Sequence, residues 1–149
     1  MSQGISTKPI HILIAEDDPE DRMLMQEAIF ESKLRNPVHF VENGEQLLDY
    51  LHHREAYFDA GQHPLPGLIL LDLNMPRKDG REVLRELKAT AAFRRIPIIV
   101  FTTSKDDEDI LQSYDLGVNS YITKPSNFSQ MVNVVCMLRQ YWLETVELP

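Results

Sequence analysis

A chain of 149 residues with 43% hydrophobic content is long enough to bury one core. A net charge of −8 argues against direct nucleic-acid binding, which calls for a basic footprint, and no apolar run is long enough to span a membrane. The polar N-terminus, Met1 to Pro9, lacks a signal-peptide core, and the single cysteine, Cys136, excludes an internal disulfide framework and fits a reducing, cytoplasmic setting.

Ile10 to Ala15 (IHILIA) reads as a first strand, followed at once by Glu16-Asp17-Asp18. Pro19 fits the first position of a helix with Asp18 as its N-cap, and apolar residues at helical spacing carry it to about Ser32. Val38 to Val41 is a short second strand. Asn43-Gly44 reads as a turn and Gln46 to Arg54 as a second helix, with Leu47, Leu48 and Leu51 inward. Glu55 to Gly67, rich in proline and glycine, reads as an irregular loop. His52 and His53 diverge on the second helix and have no third ligand at suitable spacing, so they read as solvated.

Leu68-Ile69-Leu70-Leu71 is a continuous apolar run, the mark of a strand buried on both faces. It runs straight into Asp72, then Leu73-Asn74-Met75-Pro76 and a turn closed by Asp79-Gly80. Arg81 to Ala89 is a third helix. Ile98 to Phe101 is a fourth strand, ended by Thr102-Thr103-Ser104. A fourth helix runs from about Asp106 to Leu116, with acids at its N-terminus where the dipole favours them and Gly117 to end it. Val118 to Ile122 contains a fifth strand, closed by Thr123-Lys124-Pro125, and a last helix runs from near Asn127 to about Glu144. Strand and helix alternate five times, which predicts an α/β fold with a parallel sheet covered on both faces.

The carboxyl ends of those strands carry Glu16 and Asp17, Asp72, Thr102 and Lys124. Ligands bind at that edge of open α/β sheets. Clustered carboxylates repel unless a cation sits among them, and Mg²⁺ suits an all-oxygen site. Asp72 can act as a nucleophile toward a phosphoryl group. The Lys124 ammonium and the Thr102 hydroxyl can then pair with phosphoryl oxygens.

ILIAED at Ile12 to Asp17, Asp72 in LLDLNMPRKDG, Thr102 after IIVF, and Tyr121-Ile122-Thr123-Lys124-Pro125 resemble the receiver domain of two-component response regulators. The resemblance covers roughly residues 9–138. It implies a flavodoxin-like (CheY-like) doubly wound, five-stranded parallel sheet with strand order 2-1-3-4-5. It implies that Asp72 is the phosphoacceptor, and that Asp17 binds Mg²⁺ directly, Glu16 through water and Asn74 through its backbone carbonyl. Thr102 becomes the switch hydroxyl, Tyr121 the aromatic whose inward rotamer reports activation, and Lys124 the phosphate-pairing lysine ahead of a cis peptide at Pro125. Asn74 and Ser104 become the positions that tune dephosphorylation; neither is an acid or a strong base, so a long acyl-phosphate lifetime is expected. Thr103, where a smaller residue is frequent, is expected to restrict access to Asp72.

The long loop before the central strand, SYDLGVNSYITKP and the ending YWLETVELP resemble more narrowly the single-domain regulators of bacterial and cyanobacterial phytochromes. That implies a light-regulated sensor histidine kinase as phosphodonor. One receiver domain over 1–149 is expected, with a polar extension at 1–8, a C-terminal extension at 139–149 and no output domain. In the last helix Phe128, Met131, Val132, Val135, Leu138 and Trp142 form one stripe, while Val134, Met137 and Tyr141 lie on another side. A second apolar side predicts a homodimer through the fourth and fifth helices and the tail, with Val134, Met137, Tyr141 and Trp142 at the contact.

Two other functions compete with the phosphorylatable switch, besides a plain interaction module that is never phosphorylated. An aspartyl-nucleophile phosphatase of the dehalogenase type needs an acid two positions after its nucleophile, where Asn74 stands. A flavin carrier needs a phosphate-cradling loop after the first strand, where Glu16-Asp17-Asp18 repels phosphate. A receiver is not an enzyme in its own right and hydrolyses at most its own acyl phosphate.

Overall fold

A computed structural model describes residues 10–145. The expected polar extension at 1–8 and the end of the tail at 146–149 lie outside the described residues. Five strands, β1 (Ile12–Ala15), β2 (Val38–Val41), β3 (Leu68–Leu71), β4 (Ile98–Thr102) and β5 (Ser120–Thr123), form one parallel sheet in the order β2-β1-β3-β4-β5. The connections carry α1 (Pro19–Glu31), α2 (Gly44–His52), α3 (Gly80–Ala89) and α4 (Asp107–Asp115), and α5 (Phe128–Leu138) follows β5. This is the doubly wound order that the resemblance implied.

Every residue of β1 and β3 is buried because both faces of the sheet are covered. Successive side chains alternate between two clusters. Leu13, Ala15, Ile69 and Leu71 pack with residues of α2 and α3, while Ile12, Ile14, Leu68 and Leu70 pack with residues of α1 and α5. Each such large side chain contributes about 1.5–3 kcal/mol by leaving water.

Register places the functional edge. Ala15 lies opposite Leu71, and Thr102 lies opposite Thr123. The residues that follow, Glu16 and Asp72 on the first pair and Lys124 on the second, therefore leave the sheet at one level. Helix caps hold the connections in place. Asp18 accepts from the Glu20 N–H at 2.9 Å, Asp79 from Arg81 at 2.7 Å and Asn127 from Gln130 at 2.8 Å. Gly80 is required by close approach: a Cβ there would run into the Asp72 carbonyl and lie 2.7 Å from the Leu73 Cα.

Several boundaries differ from those read in the sequence. β1 starts at Ile12, two residues later than expected; His11 lies level with Pro37, which has no N–H to extend the ladder. α2 starts at Gly44, because Asn43 caps the helix instead of turning the chain, accepting from Gln46 at 2.8 Å. The loop after α2 holds a short 3₁₀ turn at Glu55–Tyr57 and is tied to the body by the Tyr50 hydroxyl, which donates to the Pro64 carbonyl at 3.0 Å. The last helix is not uniform: after Leu138 it widens into π-helical turns over Arg139–Thr145. Phe128 opens α5 at its exposed end, outside the buried stripe assigned to it. No described peptide bond is cis, so the cis bond expected at Pro125 is not found; trans is the lower-energy isomer of an X–Pro bond by about 0.5–1 kcal/mol.

Candidate functional site

The carboxylate of Asp72 is the hub of the sheet edge. Its Oδ1 accepts from the Thr102 hydroxyl at 2.8 Å and from the Asn74 N–H at 3.1 Å. Its Oδ2 accepts from the Lys124 ammonium at 2.9 Å. Lys124 also pairs closely with Glu16 and reaches Asp21 at 3.2 Å. The backbone N–H of Asp18 donates to Glu16 at 3.2 Å. The side chains of Lys124, Glu16 and Asp72 are each only 6–7% exposed, so these charges interact with little screening by water.

Glu16, Asp17 and Asp72 each bring a carboxylate oxygen within 4.8 Å of the others. The single ammonium of Lys124 stands among four carboxylates, those of Glu16, Asp17, Asp21 and Asp72, an excess of negative charge that favours a bound cation. The donor set is all oxygen, with Asp17 half-buried and the others buried, and so fits a hard cation that keeps part of its water shell. Burial lifts the Glu16 carboxyl above its usual range, with Lys124 only partly offsetting it. Burial alone would lower the Lys124 ammonium, but hydrogen bonds to Glu16 and Asp72 outweigh that and hold it above its usual range.

The remaining assigned residues fall around this hub. Asn74 is exposed at the lip, with Thr103 also at the surface. Tyr121 is partly buried against the core, and its hydroxyl donates to the Ser104 carbonyl at 3.0 Å. Asp18 caps α1 and does not join the acidic cluster. Asp21 was missed in the sequence: an acid in the first turn of a helix is explained by the dipole alone, and only the tertiary structure sets it beside Lys124.

Among the described residues the histidines hold no metal cluster of three ligands. His53 is not simply solvated; its Nε2 contacts the His63 carbonyl at 2.8 Å and fastens the loop. The expected partner face is divided. Met137 and Tyr141 are about half exposed, whereas Val134 and Trp142 are partly buried against the protein's own core.

The family model of the response regulator receiver domain matches residues 12–136. Response regulator Rcp1 of Synechocystis sp. is 40% identical over 144 residues, covering 97% of this chain and 96% of that protein. The Mn²⁺-bound form of Rcp1 superposes with a TM-score of 0.84 at 40% identity, covering 95% of this chain and 99% of that one. The phosphorylated cyanobacterial phytochrome response regulator RcpA gives a TM-score of 0.87 at 43% identity, with 95% and 99% covered. Response regulator RPA3017, in red light signaling of R. palustris, gives 0.89 at 36% identity, with 94% and 98% covered.

Proposed function

The chain belongs to the response regulator receiver domain family, and from that premise we propose that it is a single-domain phosphorylation switch with Asp72 as its acceptor. The observation that carries this reading is the convergence of Thr102, the Asn74 N–H and Lys124 on one buried carboxylate beside Glu16 and Asp17. One oxygen of Asp72 forms the O–P bond as the N–P bond of a kinase phosphohistidine breaks and the imidazole nitrogen leaves. Lys124 is already aimed at that carboxylate and pairs with a phosphoryl oxygen. Thr102 follows with its hydroxyl, and Tyr121 packs behind it as the aromatic reporter.

Mg²⁺ held by Asp17 and Asp72, by Glu16 through water and by the Asn74 carbonyl would neutralise charge on the acids and the phosphoryl oxygens. The likeness to the Mn²⁺-bound form of Rcp1 supports a divalent cation as the partner of this acidic cluster. The phosphatase reading lacks an acid two residues beyond Asp72, because Asn74 stands there. The same Asn74, together with Ser104, supplies no strong base for hydrolysis, so the acyl phosphate is long-lived.

The phosphodonor is a phytochrome-linked sensor histidine kinase, a reading supported by the likeness to RcpA, Rcp1 and RPA3017. The protein acts in the cytoplasm through protein contacts, without binding nucleic acid or membrane. Among the described residues no helix is long and apolar enough to cross a membrane. A second copy docks along α4 and α5, where exposed Met137 and Tyr141 border a groove floored by Ser120 and Ile122.

Intact mass after treatment with a small phosphodonor tests the acceptor. One phosphoryl adduct is expected, requiring both Mg²⁺ and Asp72 and absent in Asp72→Asn. An adduct that survives Asp72→Asn overturns the assignment.

A further inference from the structure

Ser104 sits two residues beyond the switch hydroxyl, and its environment is built by residues remote from Asp72. The Ser104 hydroxyl donates to Asp109 Oδ2 at 2.6 Å. The other Asp109 oxygen accepts from Arg81 through Nη2 at 2.7 Å and Nε at 3.2 Å, a two-pronged guanidinium grip. A third Arg81 nitrogen, Nη1, donates to Asp79 Oδ2 at 3.1 Å. Asp79 in turn caps α3 at the end of the loop that begins at Asp72. Tyr121 closes the other side by donating to the Ser104 carbonyl.

The pair is more than a surface contact. The side chains of Arg81 and Asp109 are only 26% and 15% exposed, and the pair spans 28 residues of sequence. It joins the start of α3 to the first turn of α4. The Ser104 hydrogen bond and the Arg81 guanidinium hold the Asp109 carboxyl below its usual range, so it stays charged. Ser104 is thus held at both ends: its hydroxyl by Asp109, its carbonyl by Tyr121.

We propose that Arg81 and Asp109 are positioning residues that clamp Ser104 and, through it, Tyr121, so that the seating of α4 and the lifetime of the acyl phosphate are set together. This rests on the reading of Asp72 as phosphoacceptor. While Asp109 holds the Ser104 hydroxyl, that hydroxyl is turned to α4 and does not orient a water toward Asp72. Releasing it frees the hydroxyl for that water and loosens the seat of the Tyr121 ring.

The test uses Arg81→Met, Asp109→Asn and Asp109→Glu, with tyrosines replaced by 3-fluorotyrosine and the Tyr121 resonance assigned through Tyr121→Phe. The half-life of the aspartyl phosphate is measured after donor removal, and ¹⁹F spectra are taken before phosphorylation. Met and Asn variants are expected to take up phosphoryl groups, to lose them about threefold faster or more, and to shift or broaden the Tyr121 signal. Asp109→Glu, which keeps the carboxylate, is expected to retain most of both properties. An unchanged half-life, or an unchanged Tyr121 signal, in Arg81→Met and Asp109→Asn would overturn the clamp. Absence of any adduct on the wild type would overturn the acceptor reading instead, and the fluorine signal of the unphosphorylated protein still decides the clamp.

Discussion

The Thr102 hydroxyl donates to Asp72 Oδ1 at 2.8 Å, joining the ends of two adjacent strands inside a buried site. Thr102 is fully buried, so its hydroxyl has no water to turn to. Thr102→Ala is expected to cost about 1–3 kcal/mol in urea denaturation, because Asp72 loses a buried donor. Thr102→Ser, which keeps the donor, is expected to recover most of that loss. Equal stability of the Ala variant and the wild type would mean that the contact contributes nothing.

The acidic cluster predicts a metal-dependent melting temperature. A cation that binds only the folded state stabilises by about 2.7 kcal/mol at a concentration one hundred times its dissociation constant. Titrating Mg²⁺ is expected to raise the melting temperature of the wild type and to leave Asp17→Asn nearly unmoved. Removing the metal with a chelator should reverse the rise. An equal rise in both proteins would place the cation elsewhere.

Tyr50 predicts an alkaline transition. It is 1% exposed, and burial, with Tyr57 nearby, pushes its phenol up to about 12 from the ordinary 10. The folded chain therefore keeps its proton where the unfolded chain has lost it. Stability from this group is fully present below about pH 10 and is lost as pH rises through about 12, a change of up to about 2.7 kcal/mol. Denaturation of the wild type minus that of Tyr50→Phe, followed from pH 9 upward, isolates the effect. A pH-independent difference would reject it.

The partner face predicts self-association. Replacing Met137 or Tyr141 by glutamate puts charge where a second copy would bury apolar surface. Light scattering with gel filtration is expected to find a dimer for the wild type and a monomer for either variant. A wild type that stays monomeric at high concentration, phosphorylated or not, would remove the dimer from the proposal.

The sequence alone determined the strand ends. Continuous apolar runs such as Leu68 to Leu71 and Ile98 to Phe101 can be satisfied only by burial on both faces, so the polar residue that ends each run has to lie at the sheet edge. That made Glu16, Asp17, Asp72 and Thr102 legible without coordinates, whereas Lys124 follows the half-buried strand Ser120–Thr123 and was legible from the motif Tyr121-Ile122-Thr123-Lys124-Pro125, which with the other motifs made the family legible. Helix caps are partly legible: Asp18 before Pro19 marks a cap, whereas Asn43-Gly44 fits a turn as well as a cap, since the same side chain serves either purpose.

Only the tertiary structure decided which charges touch. Lys124 and Asp21 are separated by 103 residues, and Arg81 and Asp109 by 28. A helical or strand period fixes the face a residue occupies but carries no distance to a different element. The same holds for the last helix. Its apolar spacing marked two sides, but the packing of α1 against α5 decided that Val134 and Trp142 lean on the core while Met137 and Tyr141 stay exposed. Periodicity records which residues can be buried together; the match between neighbouring elements decides which of them are.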